Sequence, residues 1–395
     1  MDLPRETTSH RWTLRATVLA AVGIFAVVGA GCGTTESGPP AGNGSGAPGD
    51  QSGAAPIADA GAGASNAPPA VASSDAAADG NPARVPAAED GGDASTSQGS
   101  DAGGAHVGKL FWLAIVGNEV IEAAEDGGGS HAVVSSGGIS APDGVSVDVA
   151  GGKVYWTNMG TLTDGPHTPN GSLQRANLDG SSVEVLLKPG VTTNTPKQCA
   201  LDLVHQKIYW SDREGAKAWR ANLDGSSPEV LLTGHGIQQL VGMALDVPKA
   251  QFYVTDRYAK FILRAGFDMP TGQTSDNRSD VESLVTEQGS AMPIDIDLDL
   301  EHRTMYWTDR SLNTIQRAGM DLPAGQTAAN RTDITTLVSG LSTPIGISLD
   351  RAADAMYFTD LGGQVFRAHL DGSGKTPIGS SNGASGIVHV ELPSP

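Results

Sequence analysis

Two sets of charged residues in this sequence have the types and spacing that chemistry requires. The first lies in PIDIDLDLE, residues 293–301. In an extended strand, residues two apart share a face, so Asp295, Asp297 and Asp299 place three carboxylates side by side. Bordering a channel, such a set suits a hard cation such as Ca²⁺, and with it a metal-dependent hydrolase. The structural alternative is that these carboxylates only accept hydrogen bonds from their own scaffold. The second set is Arg213, Arg257 and Arg310, each directly after the aspartate of a recurring motif. Guanidinium groups bind carboxylates through paired, charge-assisted hydrogen bonds. Trp219, Tyr258 and Phe261 are near enough in sequence to add aromatic contact. Here the alternative is an arginine paired with the aspartate of a neighbouring unit.

Little else in the chain offers reactive groups. The nine histidines include no His-x-x-x-His pair, the helical spacing of many zinc sites. The sequence has no Gly-x-Ser-x-Gly elbow and no phosphate-cradling glycine loop between a strand and a helix. Cys199 stands in a slot that other copies of its segment fill with Val145, Met243, Ile296 and Ile347, so it reads as a small buried hydrophobe.

The elements that position these residues come from an internal repeat. VYWTN, IYWSD, FYVTD, MYWTD and MYFTD begin their aromatic pairs at Tyr155, Tyr209, Tyr253, Tyr306 and Tyr357, and a weaker copy carries Phe111-Trp112. Successive copies are 44 to 54 residues apart, the period of a four-stranded propeller blade. Seven positions before each tyrosine stands an aspartate: Asp148, Asp202, Asp246, Asp299 and Asp350. Downstream come an Arg-Ala segment and a turn, often Asp-Gly, whose positive φ glycine meets without steric cost. A last apolar stretch such as VEVLL completes four short strands per unit.

These three landmarks in register resemble the YWTD, or class B, repeats of the low-density lipoprotein receptor family. The resemblance covers nearly all of residues 106–395 and implies an all-β, six-bladed β-propeller. It implies scaffold roles for Tyr155, Trp156, Tyr209, Trp210, Asp212, Tyr253, Asp256, Tyr306, Trp307, Asp309, Tyr357, Asp360 and the upstream aspartates. It also implies a face that binds partner proteins. The chain enters the repeat late, at KLFW, and ends on an orphan GIVHV at residues 386–390. A C-terminal strand completing the N-terminal blade would close the ring and remove its open edges. Blade one departs from the pattern by lacking the tyrosine and Thr-Asp, with Glu122 in the arginine slot. Blades four and five share an insertion, MPTGQTSDNRSD and LPAGQTAANRTD. No cysteines for flanking EGF-like modules are present.

Residues 1–31 read as an export signal: Arg5, Arg11 and Arg15, then the apolar run ATVLAAVGIFAVVGAG, short for a membrane span of about 20 residues. The small residues before Cys32 resemble a bacterial lipoprotein signal, with Gly29 where that family usually has Leu. Lipidation of Cys32 would anchor an exported protein at the outer membrane or cell surface of a bacterium. Cleavage near Ala30 and an uncleaved anchor are the alternatives. Residues 32–105, rich in Gly, Ala, Ser and Pro, bury too little apolar surface to fold and read as a disordered tether. The net charge of −19 excludes sequence-independent nucleic-acid binding, which needs a basic face. With Cys32 lipidated, Cys199 has no partner for an intrachain disulfide. The expectation is a monomeric, surface-tethered platform for a protein, peptide or glycan ligand, without a cofactor. A Ca²⁺-dependent hydrolase using Asp295 and Asp297, and a purely structural envelope protein, are the other readings.

Overall fold

The computed structural model describes residues 106–160 and 170–394. The expected signal, Cys32 and tether lie outside the described residues. Among the described residues, twenty-four strands form six antiparallel sheets of four. The innermost strands are Pro142–Asp148, Pro196–Asp202, Leu240–Asp246, Pro293–Asp299, Pro344–Asp350 and Ala384–Pro393. Each contacts the next around the ring, and the last contacts the first. This is the six-bladed propeller that the repeat predicts. The closing strand Ala384–Pro393 pairs with His106–Ala114, so both ends of the propeller share blade one.

The aromatic pair explains how the blades adhere. Adjacent residues in a strand face opposite sides, so the tyrosine and tryptophan of one blade enter different interfaces. Tyr155 packs with Trp210, Phe111 with Trp156, Tyr253 with Trp307, and Tyr357 with Trp112. Tyr306 meets Phe358, and Tyr209 meets Val254. All four of these tryptophans are fully buried. Each interface is thus one tyrosine-slot residue against one tryptophan-slot residue, and the two-residue word is the unit of assembly.

The threonine that follows is a relay between blades. Thr157 Oγ1 accepts from Gly144 N at 2.9 Å and donates to Lys197 O of the next inner strand at 2.6 Å. Thr255 does the same with Gly242 N and Ile294 O, Thr308 with Asp295 N and Ile345 O, and Thr359 with Gly346 N and Ser385 O. Glycine is favoured at the donor position because inner strands approach closely there. A Cβ on Gly242 would stand 2.5 Å from Ile294 O, and one on Gly346 2.5 Å from Ser385 O. Blade one has Leu113 in place of threonine, and Ser385 of the closing strand supplies a hydroxyl instead, donating to Pro142 O at 2.9 Å. Replacing Thr255 by the isosteric Val leaves two buried backbone groups unpaired. At about 1–3 kcal/mol for each, the melting temperature should fall by roughly 5 °C or more. A shift under 1 °C would show that the relay contributes no stability.

The aspartates cap loops. Asp212 accepts from the amides of Asn194, Thr195 and Gly215, and Asp256 from those of Gln238, Gln239, Tyr258 and Ala259. Each carboxylate ties the loop entering the inner strand to the turn leaving the second strand. Of the upstream series, Asp202 and Asp299 hold His205 and His302 in hairpin turns, and Asp148 and Asp350 accept turn amides.

Candidate functional site

The residue after each repeat aspartate lies at one mouth of the central channel, where Pro293, first in its strand, faces Asp309. In blades two to six this residue donates its amide to the loop before the inner strand: Met159 to Ala141, Arg213 to Thr195, Arg257 to Gln239, Arg310 to Met292 and Leu361 to Thr343. In blade one Ile115 donates to Gly383. The rim is therefore divided, with three consecutive arginines on one arc and Leu361, Ile115 and Met159 on the other. Beneath the rim, Val241, Ile294 and Ile345 form an apolar cluster against Leu361. Opposite them lies the buried pair Lys197–Asp143, 2.7 Å apart.

The arginines are near enough to repel one another. Burial, then Arg213 and Arg310, hold Arg257 below its ordinary range, and burial, then Arg213, does the same to Arg310. Lys197 is brought down to about 8, chiefly by burial, with Arg213 and Arg257 adding to the fall against the pull of Asp143. The neutralising contacts are sparse. Arg213 Nε donates to Glu214 at 2.6 Å, its own chain neighbour. Arg257 Nε donates to the neutral Gln239 at 2.6 Å and lies over the Tyr258 ring, 4.7 Å from its centroid. Arg310 makes no side-chain ion pair among the described residues. The expected alternative, arginine paired with the neighbouring unit's aspartate, does not occur at these three positions, because each repeat aspartate is occupied by backbone amides.

Two expected members of this site lie elsewhere. Trp219 is in mid-strand and stacks on Trp210 with centroids 5.9 Å apart and an interplanar angle of 1°. Phe261 is in the core of blade four. Alternation along the strand turns both rings into blade interfaces. Only Tyr258, 47% exposed, joins the arginine arc. The members not expected are Lys197, Asp143, Met159 and Leu361. Their signal in the sequence is weak: Lys197 and Asp143 break the apolar second slot of the inner strand, where Val241, Ile294 and Ile345 stand in other blades.

The acidic strand is innermost, as a channel site requires, and Asp295 and Asp297 line a cavity of about 230 Å³. Their four oxygens, however, are engaged. Asp295 accepts from Ile296 N at 2.9 Å and Ile347 N at 3.1 Å, and Asp297 from Leu298 N at 2.7 Å and Leu349 N at 2.8 Å. Each carboxylate joins blade five to blade six. Burial raises the pKa of both, that of Asp295 well above the ordinary value. Neighbouring strands offer Ser146, Cys199 and Ser348 at this level, and among the described residues no further carboxylate lines the cavity. Cys199 is buried, and burial pushes its thiol up to about 12.

No family model matches the chain. Low-density lipoprotein receptor-related protein 1 of Pyricularia oryzae is 36% identical over 291 residues, which cover 69% of this chain and 92% of that protein. 3-hydroxyacyl-CoA dehydrogenase-like protein LAM1 of Cochliobolus heterostrophus is 31% identical over 262 residues, 60% of this chain but only 53% of that protein. Among solved structures, a chain from a nidogen/laminin complex superposes with a TM-score of 0.55 at 17% identity, covering 71% of this chain and 98% of that one. At that identity the likeness is one of fold.

Proposed function

Because the chain belongs to the low-density lipoprotein receptor class B (YWTD) repeat family, we propose that it is a non-catalytic binding platform whose ligand is an acidic protein segment docked on the arginine rim. The observation that carries this reading is the arc of Arg213, Arg257 and Arg310, in which only Arg213 has an ion pair among the described residues, on a chain of net charge −19. Positive groups held together against mutual repulsion and partial burial favour an arriving anion. Arginine suits carboxylates better than lysine because its planar fork is preorganised. The apolar half of the rim, Leu361, Ile115 and Met159, gives such a segment a place for hydrophobic side chains beside its acidic ones. The propeller of the nidogen/laminin complex, which shares this fold, supports a protein as the partner. Selecting random peptides on the full-length protein tests the proposal. Peptides that combine acidic and apolar residues should enrich and be released by salt, and enrichment without regard to charge would overturn it.

The reading includes tethering to a cell envelope through lipidated Cys32. On it, Cys32→Ala moves the protein from the membrane fraction to the soluble fraction. An unchanged distribution would refute the lipid anchor and leave the rim untouched.

A further inference from the structure

The two ends of the propeller meet in blade one, and there three carboxylates surround one imidazole. His389 and Glu391 belong to the closing strand, Glu125 follows the strand Glu119–Ala124, and Asp350 ends the inner strand of blade six. His389 Nε2 lies 2.6 Å from Glu125 Oε1, 3.7 Å from Asp350 Oδ2 and 3.9 Å from Glu391 Oε1. One ligand atom from each residue falls within 4.8 Å of all the others. The side chains of His389 and Asp350 are buried, while Glu125 and Glu391 reach solvent.

Two features at this place depart from the repeat scaffold. In blades two, three and four the repeat tyrosine hydroxyl accepts from the arginine across from it, Arg175, Arg220 or Arg264, at 3.2 to 3.5 Å. Tyr357 in blade six is fully buried, and among the described residues its hydroxyl has no partner within ordinary hydrogen-bond geometry, the facing Arg367 included. Its ring stacks on His389 with centroids 5.2 Å apart, and burial, with Glu125 and Asp350 adding, raises its phenol against the opposing pull of Arg367. A fully buried tyrosine therefore lies against the imidazole of the cluster. The second feature is Gly108. A Cβ there would stand 1.6 Å from Glu125 Oε1, so the missing side chain leaves the passage by which Glu125 reaches His389.

We propose that Glu125, Asp350, His389 and Glu391 bind a divalent transition-metal ion that clasps the two ends of the propeller to blade six. One imidazole nitrogen with three carboxylate oxygens suits Zn²⁺ or Mn²⁺ better than an all-oxygen cation. Ligand atoms at about 2.0–2.2 Å from a tetrahedral ion are roughly 3.3–3.6 Å apart. Asp350 and Glu391 already stand near that separation from His389. Glu125 withdraws by about 1 Å as the ion takes the place of its direct contact with the imidazole. The ion also neutralises carboxylates that otherwise repel one another across the closure.

The test uses the full-length protein stripped with a chelator and titrated with Zn²⁺, Mn²⁺, Ca²⁺ and Mg²⁺ by calorimetry and thermal melting. One equivalent of Zn²⁺ or Mn²⁺ should bind and raise the melting temperature by several degrees. Glu125→Gln with Glu391→Gln, both at solvent-reached positions, should weaken binding at least about tenfold and leave the metal-free melting temperature within a degree or two. Gly108→Ala should weaken it too, by closing the path of Glu125. Absence of saturable binding overturns the proposal. So does stoichiometric binding that the double variant leaves intact, or Ca²⁺ binding as tight as Zn²⁺, which would take His389 out of the ligand set.

Discussion

Replacing Arg278 by Met should lower the melting temperature by about 10 °C, and Arg331→Met should do the same one blade further on. Each arginine lies in one of the paired insertions of blades four and five, and each side chain is almost wholly buried, Arg278 completely. Arg278 Nη1 donates to Leu231 O of blade three at 2.8 Å. Its Nη2 donates to Gly266 O and Asp268 O at 2.7 and 3.1 Å, and Asp280 takes Nε and Nη2 at 2.7 Å. Arg331 repeats the set with Leu284 O of blade four at 2.7 Å, Gly319 O at 2.8 Å and Asp333 at 2.7 Å. The planar fork thus ties the insertion to its own blade and to the blade before it. Met fills much of the volume but leaves buried carbonyls and a carboxylate without donors. Removing one member of a buried charged network costs about 3–5 kcal/mol, and a chain of this size loses roughly 2–4 °C per kcal/mol. Arg278→Lys keeps the charge but not the fork, so it should recover little. A fall below 3 °C for Arg278→Met would mean that the insertion is not a clasp. The pH dependence has a definite sign. Hydrogen bonds from Arg278 and Arg331 hold Asp280 and Asp333 below the ordinary carboxylate range. Their contribution is therefore present above the unfolded pKa and lost as pH falls through the lowered folded one.

Reversing charge at Arg257 and Arg310 together should reduce binding of an acidic ligand by about a hundredfold or more, with no loss of thermal stability. Truncating one partner of a desolvated charge pair costs about 2–5 kcal/mol, and reversal adds repulsion to the lost attraction. Stability is spared because both arginines are held under mutual strain in the free protein. Among the described residues neither guanidinium hydrogen-bonds across to another blade, and Arg257 has Gln239 as its one side-chain hydrogen-bond partner and Tyr258 as its aromatic neighbour. A melting temperature that rises slightly is the expected sign of relieved repulsion. Lys375→Glu, an exposed charge reversal in blade six, serves as the control and should leave binding within about twofold. Salt should weaken the wild type more than the variant, since rim charges steer encounter and are screened within about 8–10 Å. Binding that survives the double reversal would move the ligand to another face.

The repeat, the number of blades and the closing strand were all legible in the sequence. A blade is a local object: its strands are joined by short turns, and the same residues recur because each copy solves the same pairing problem. Tyr155-Trp156 and Tyr306-Trp307 announce two buried faces of one strand wherever they occur. The arginine arc was legible for the same reason, since equal places in a repeat become neighbouring places on a ring. What the one-dimensional pattern does not contain is which partner each exceptional residue meets across an interface. Asp295 and Asp297 look like ligands in the sequence, but amides of Ile347 and Leu349, fifty-two residues further on, occupy them. Trp219 looks exposed to the rim, and strand register turns it onto Trp210. Lys197 reaches Asp143, and His389 reaches Glu125 across 264 residues. These contacts exist only once six sheets have closed into a ring. Closure brings together side chains that no spacing along the chain relates, and the cluster at its seam is a product of tertiary structure alone.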